Sequence, residues 1–296
     1  MKKLTYYTIL VVGLMLVSSC DRLDIAGMVI NRSSTEERVA DWLDYDTQNG
    51  MPILNNVPDA YTFYSCSDTH INDDNSRLAS YITIERNDPE AVFSIIAGDL
   101  ANESGEGSYI LADSAIKFNP STQIENDLCF PIIGNHDVYF DCAEFYKQHF
   151  HTSTYTVTVN TVSGYKDLFI FLDSGNGTHG RRQLDWLEEQ LSHRTEYRYC
   201  FVVSHNWLFR TTYNYTTTPA SNLPEDEQYA FMDLMSRNAV DMVVMGHFHY
   251  RDTKTFGGVK YVMTANLNDS AEASYLVVRC ADKITYEYRV LDLDQE

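Results

Sequence analysis

Basic residues are scarce in this chain: 22 Lys and Arg stand against 42 Asp and Glu, for a formal charge of -20 and a pI near 4.7. A surface of that sign repels a phosphate backbone, and the sequence offers no basic patch for nucleic acid. Long apolar runs are also missing. The longest stretch of that kind, Ile9 to Val17, is too short for a confident spanning helix. Cysteine occurs six times with no CxxC pair. Beyond Cys20 the remaining five are Cys66, Cys129, Cys142, Cys200 and Cys280, an odd number, and Cys66, Cys129 and Cys200 sit inside apolar runs. Buried thiols are expected rather than a disulfide framework. There is no internal repeat, no P-loop and no GxSxG nucleophile motif, since Ser204 simply precedes His205.

What is present is a chain of 296 residues with 44% hydrophobic content, enough for one large domain. Its start reads as an export segment. Lys2 and Lys3 precede the short apolar run, and Val17-Ser18-Ser19-Cys20 has the form of a bacterial lipobox. Residues 1–19 are therefore expected to be a signal peptide, with Cys20 the lipidated first residue of an envelope protein, periplasmic or at the cell surface. Residues 20–59 are expected to be a tether and lead-in helix, and residues 60–296 a single domain. Ser34-Thr35-Glu36-Glu37 reads as a capping box ahead of Val39, Ala40, Trp42 and Leu43, and Gly50 and Pro52 end that helix.

One pattern then recurs six times: a short apolar run followed at once by polar residues. Tyr61–Cys66 leads to Asp68 and His70. Ala91–Ala97 leads to Gly98-Asp99, and Leu128–Ile133 leads to Gly134-Asn135-His136-Asp137. Leu168–Leu172 leads to Asp173, Tyr199–Ser204 to His205, and Val240–Met245 to Gly246-His247-Phe248-His249. Such runs predict buried central strands. Helical patterns lie between several, at Gln183–Leu191 and Glu225–Arg237, which points to a largely parallel or mixed sheet with covered faces. In the tail, Tyr261–Thr264, Ser274–Arg279 and Ile284–Val290 are expected to extend a second sheet. The fold class is α/β (α+β in some schemes): two sheets inside, helices outside.

Loops at the carboxyl ends of strands are the usual site in such sheets. Carboxylate, imidazole and carboxamide together suit borderline divalent metals such as Mn, Fe or Zn. A residue spacing of two predicts that Asp68 and His70 share one side, as do His247 and His249. Glycine before Asp99, Asn135 and His247 allows sharp turns and close approach.

In order, the blocks read DxH, GD, GNHD, an isolated His and GHxH, across residues 68–249. The series resembles the calcineurin-like metallophosphoesterase family. The resemblance implies a four-layer α-β-β-α sandwich with the metal site at the carboxyl ends of its strands. It implies one divalent ion held by Asp68, His70 and His249, a second held by Asn135, His205 and His247, and Asp99 bridging them. Hydroxide derived from bound water would attack phosphorus in line. His136 would stabilise the transition state or protonate the leaving oxygen, and Asp137 would fix the turn or orient His136. The substrate would be a small-molecule phosphoester, mono- or diester.

Two departures narrow the branch. Asn102 stands where protein phosphatases of this family carry a second Asp. No Tyr follows the GD block within Leu100 to Ser104, although Tyr109 lies further on, so a purple iron centre is not expected. The run Phe169–Ser174 followed by Gln183–Leu187 is similar to the cyclic-nucleotide phosphodiesterase and purple-acid-phosphatase branch. Asn206, Trp207, His179 and Arg181 are the candidates for substrate contacts. Arg181 with Arg182 is more readily read as a solvated helix start than as a phosphate contact, and Thr211–Thr218 as a lid, a stacking wall or an exposed loop. Asp173 is expected to cap structure. The competing reading is a surface binding module on a degenerate version of the fold.

Overall fold

The computed structural model describes residues 34–102, 105–117, 128–209, 223–268 and 273–292. The export segment, Cys20 and Thr211–Thr218 lie outside them. No described helix is long and apolar enough to cross a membrane.

The first helix, α1 (Thr35–Asn49), begins at the capping box its sequence encodes. Glu37 N–H donates to Ser34 Oγ at 3.3 Å, and Ser34 N–H donates back to Glu37 Oε2 at 3.0 Å. It ends at Gly50, which takes a φ of 80° and returns a 2.7 Å hydrogen bond to Asp46 O. Arg38 reaches down from α1 to Asp173 with two bonds, of 3.0 and 3.1 Å, and both side chains are buried. Val39 and Trp42 enter the core beside it. After α1 the chain forms β1 (Ile53–Val57), which pairs in parallel with β5 (Tyr155–Thr161). The stretch read as tether and lead-in thus contributes a helix and an edge strand to the domain. β1 is short and exposes Ile53 beside two asparagines, so no apolar alternation marks it in the sequence.

The six apolar runs become β2 (Tyr61–Cys66), β3 (Ala91–Ile96), β4 (Cys129–Pro131), β6 (Lys166–Phe171), β7 (Tyr199–Asn206) and β8 (Met242–Gly246). Within each trio the strands run parallel, β2 with β3 with β4 and β6 with β7 with β8. Their carboxyl ends therefore share one edge of each sheet. The remaining strands are β9 (Asp252–Phe256), β10 (Val259–Met263), β11 (Ser274–Cys280) and β12 (Ile284–Val290). The sheets have orders β1-β5-β6-β7-β8-β10-β9 and β12-β11-β2-β3-β4. Antiparallel pairs, such as β5 with β6 and β11 with β2, make both mixed. The tail corrects one expectation. It does not extend a single sheet: β9 and β10 close one edge of the seven-stranded sheet, while β11 and β12 complete the other sheet. Strand propensity shows that a strand forms but not which neighbour it meets.

Between the sheets lies a layer of aromatic rings. Phe63 and Phe93 from one sheet meet Phe169 from the other edge-on, at 5.1 and 5.0 Å. Each such pair adds about 0.5–1.5 kcal/mol beyond its buried area. On the outer face of the five-stranded sheet pack α2 (Ser76–Asn87), α3 (Glu106–Lys117) and α4 (Cys142–Phe150), with Tyr64, Tyr81, Ile116 and Tyr146 in that core. Helices α5 (Arg181–Ser192) and α6 (Glu225–Arg237) cover the other sheet through Leu187, Leu191, Phe231 and Met235. Helix, sheet, sheet and helix make the four layers. The five cysteines are buried and unbridged.

Candidate metal centre

Five of the six strand ends deliver their polar residues to one place, while Asp173 after β6 pairs with Arg38 instead. Asp68 and His70 follow β2, Asp99 follows β3, and Asn135 and His136 follow β4; His205 is in the last turn of β7, and His247 and His249 follow β8. Three groups result, Asp68/His70/His249, His70/Asp99/His136 and Asp99/His205/His247, each with its ligand atoms within 4.8 Å of one another. His70 and Asp99 each belong to two groups, so the three are one continuous centre.

Strand alternation does not create this convergence. Asp68, His70, Asp99, His247 and His249 all have positive φ, between 41° and 86°. They are five of the ten described non-glycine residues with that conformation. Each costs about 1–2 kcal/mol for an L-residue. The expectation from a period of two is therefore corrected: left-handed turns beyond the strand ends, not the pleat, aim these side chains. Glycine enters for space. A Cβ on Gly246 would lie 2.7 Å from Asp68 Oδ2, and one on Gly134 would collide with the Asp99 carboxylate.

Nearly all these groups are buried, and their electrostatics follow from that. Burial works to raise the Asp68 carboxyl, but the hydrogen bond to His249 and the charge of His205 outweigh it and hold the group at about 2. Asp99 is likewise buried, yet His205 beside it, 3.2 Å from Oδ2, pulls it well below the usual carboxylate range. Against the pull of burial, Asp99 in turn raises His205 to about 9. Burial, reinforced by the charge of His205, drives His247 down to about 3. The backbone pins both acids: His136 N–H donates to Asp99 Oδ1 at 2.8 Å, and His247 N–H to Asp68 Oδ2 at 3.0 Å.

Potential ligand atoms converge on one another. His70 Nε2 and His249 Nε2 lie 3.1 Å apart, and His205 Nε2 lies 3.1 Å from Asn135 Oδ1. His70 Nδ1 and His247 Nε2 are buried with no hydrogen-bond partner. Opposed imidazole nitrogens, buried carboxylates and a carboxamide oxygen form a donor set that suits a borderline divalent ion. The residues present therefore fit divalent metal binding.

Asp137 is placed differently. Its carboxylate accepts from the backbone N–H of Leu100, Ala101 and Gly134 and from Tyr109 Oη, at 2.9–3.1 Å. Burial, then the charge of Asp99, pushes it up to about 6. It clamps the loop after β3 to the loop after β4, which is the turn-fixing alternative. Tyr109, the one Tyr near the GD block, is held by that bond rather than turned into the centre.

The four substrate-contact candidates lie elsewhere than at an open wall. Trp207 is 2% exposed and packs in the core under α6. Asn206 is buried, its N–H donating to Ser174 Oγ at 3.3 Å. His179 is buried against Phe231, bonded through Nε2 to Ser204 Oγ at 3.0 Å. Asn206 and Trp207 lie at and just beyond the end of β7 and His179 lies just ahead of α5, and all three side chains are buried. Arg181 is 91% exposed at the start of α5, near Asp185, which matches the solvated-helix reading. Asp173 pairs with Arg38 and also accepts from Gly175 N–H at 2.8 Å.

Three supporting residues, Asn266, Ser67 and Thr264, escaped sequence reasoning. Asn266 holds His249 Nδ1 at 3.2 Å, its carbonyl oxygen engaged by Asn268 N–H at 2.6 Å. Ser67 joins Asp68 Oδ2 to Thr264 with bonds of 2.5 and 2.6 Å. The signal was present: Thr264 and Asn266 follow the apolar strand β10, as the other site residues follow theirs.

A two-sheet sandwich that gathers carboxylates, imidazoles and a carboxamide at the carboxyl ends of its parallel strands defines a metallophosphoesterase architecture. The profile of the calcineurin-like phosphoesterases matches residues 61–251, well over half of the sequence, and the chain belongs to that family. No curated protein sequence matches it. Among solved structures it is similar to a dimetal phosphatase from Danio rerio, with a TM-score of 0.60 at 10% identity over 78% of this chain and 96% of that one. It is similar to GAP50, the anchor in the inner membrane complex of Plasmodium, with a TM-score of 0.59 at 12% identity over 79% and 85% of the two chains. The yellow lupin purple acid phosphatase PPD1 gives a TM-score of 0.60 at 12% identity over 80% of this chain and 52% of that one. At these identities the likeness is one of fold.

Proposed function

We propose that the protein is a dinuclear metal-dependent phosphoester hydrolase, a phosphomonoesterase or phosphodiesterase. The observation that carries this reading is the continuous set of ligand groups joined through His70 and Asp99. Asp68, His70 and His249 would hold one ion, and Asn135, His205 and His247 the other, with Asp99 shared. Two divalent ions there supply positive charge for the phosphoryl oxygens and acidify water near neutral pH. The chain's own contribution is placement. Asp68 and Asp99 are fixed by backbone N–H groups, so their oxygens need no reorganisation when substrate arrives. His136 is half-buried, its ring edge-on to His70 at 4.6 Å, and its backbone is tied to Asp99. From that position its imidazole would donate a proton to the leaving oxygen.

The competing reading, a surface binding module on a degenerate fold, would show lost ligands. GAP50 is named as an anchor. Here all seven ligand positions are filled, which favours the enzyme. The test is cleavage of p-nitrophenyl phosphate and its bis ester by metal-loaded protein, compared with His136→Ala and Asp99→Asn. Metal-loaded protein inert across a broad phosphoester panel overturns the proposal. We further propose that Cys20 carries a lipid anchor holding the mature chain to the cell envelope. Mass spectrometry of the N-terminal peptide checks this, and an unmodified Cys20 in membrane-extracted protein defeats it.

A further inference from the structure

The C-terminal end of α1 borders a cavity of about 360 Å³ that shares no residue with the metal centre. Asp46 forms part of its wall. This residue is only 4% exposed, and its Oδ2 has no hydrogen-bond partner. Its place in the helix adds a second oddity. Asp46 sits near the last turn of α1, where aligned peptide dipoles disfavour a negative charge, and that turn contains no basic residue. Burial pushes its carboxyl up to about 7, against a hydrogen bond from the Thr152 hydroxyl that works to lower it. Aromatic rings form another part of the wall. Tyr45 and His151 stack at 5.3 Å with 20° between their planes, and Phe130, Phe150 and Tyr155 also line the space.

Groups on neighbouring elements do not neutralise Asp46. Lys117 and His149 share the wall, but both are held by Asp113, at 3.0 and 3.3 Å. Tyr155 Oη donates to Pro131 O at 2.8 Å. An acid at this spot is disfavoured by desolvation and by the helix dipole, and the attraction of a cation in the cavity would offset both penalties. A hard metal ion would want several oxygen ligands. One carboxylate beside aromatic side chains suits an alkylammonium group, whose carbon groups pack on the rings and whose charge is attracted by aromatic quadrupoles.

We propose that this cavity binds a small organic ammonium cation, with Asp46 as its counter-charge and Tyr45, Phe130 and Tyr155 against its carbon groups. The test is calorimetric titration of the full chain with tetramethylammonium chloride and with ethylammonium chloride, against sodium chloride at matched ionic strength. It is run above the pH at which Asp46 ionises. Saturable binding of one organic cation at one site per chain is expected, with a rise in Tm. Asp46→Asn abolishes it, Lys117→Met keeps or tightens it, and His136→Ala leaves it unchanged. Asp46→Asn also removes a buried charge, so its own Tm is expected to be no lower than that of the parent. If that variant fails to fold, Tyr45→Ala serves, with binding weakened about five- to tenfold through the lost cation–π contact. Heats equal to those of sodium chloride for both cations, or binding that survives Asp46→Asn or is unmoved in Tyr45→Ala, overturn the proposal. So does a Lys117→Met variant that loses Tm and binding together, because Lys117 would then be the cation Asp46 serves.

Discussion

Asn266 is the clearest case of a residue acting through another. It contacts the ring nitrogen of His249 that lies away from Asp68, so it fixes how that imidazole is presented. Partners of this kind typically set metal affinity by 10–100-fold. Asn266→Ala is therefore expected to weaken metal retention by about that factor in chelator competition while circular dichroism stays unchanged. His136→Ala should behave oppositely: metal content kept, kcat reduced by about 10²–10⁴, as for loss of a general acid. The two variants separate ligand support from proton transfer. At this scale the sequence was informative about which atoms bind and poor about direction. Asp68, Asp99 and His205 stood out because polar groups after apolar runs need an explanation. Trp207 and His179 are buried, which composition does not reveal, since it does not tell whether a side chain faces solvent or the layer beneath. The left-handed turns at His247 and His249 left no trace in residue type.

Helix α1 shows what an element can hide. Its capping box and its end at Gly50 were legible, yet its role was not, because Arg38 and Asp173 are 135 residues apart. Their bond fastens α1 to the loop after β6. Arg38→Met should strand the Asp173 carboxylate and destabilise the fold by about 3–5 kcal/mol in urea unfolding. Adding Asp173→Asn should recover part of the loss, since the isolated charge is gone. Helix α2 offers a titration. Burial raises Glu85 to about 7, so the folded chain keeps a proton that the unfolded chain releases near pH 4.5. The contribution of this group is fully present below the unfolded value and is lost as pH rises through about 7. Glu85→Gln is expected to flatten the fall in stability across that window, a difference on the order of 3 kcal/mol above it. Unfolding midpoints from pH 4 to 8 check the slope. Among the strands, the six apolar runs were readable because strands buried on both faces are nearly uniform in composition. The pairing of β10 with β8 and of β11 with β2 was not, because register and neighbour are settled by the sandwich as a whole.

At the scale of the molecule, the net charge of -20 and the metal centre belong to one account. Two buried carboxylates lie among imidazoles in a chain already rich in negative charge, so divalent cations should stabilise it strongly. Metal at about a hundred times its Kd adds roughly 2.7 kcal/mol to folding. Removal by chelator is thus expected to lower Tm and readdition to restore it, a result differential scanning calorimetry would give without any substrate. A Tm indifferent to metal would count against the proposed ligands. The two sheets add a further consequence. Asp68, His70, Asp99 and Asn135 hang from the five-stranded sheet, while His205, His247 and His249 hang from the seven-stranded one. Neither sheet alone carries a full set for either proposed ion. Each ion would then act as a rivet through the seam, able to seat only after both halves have closed. Capture of metal would become the chain's own signal that assembly is finished.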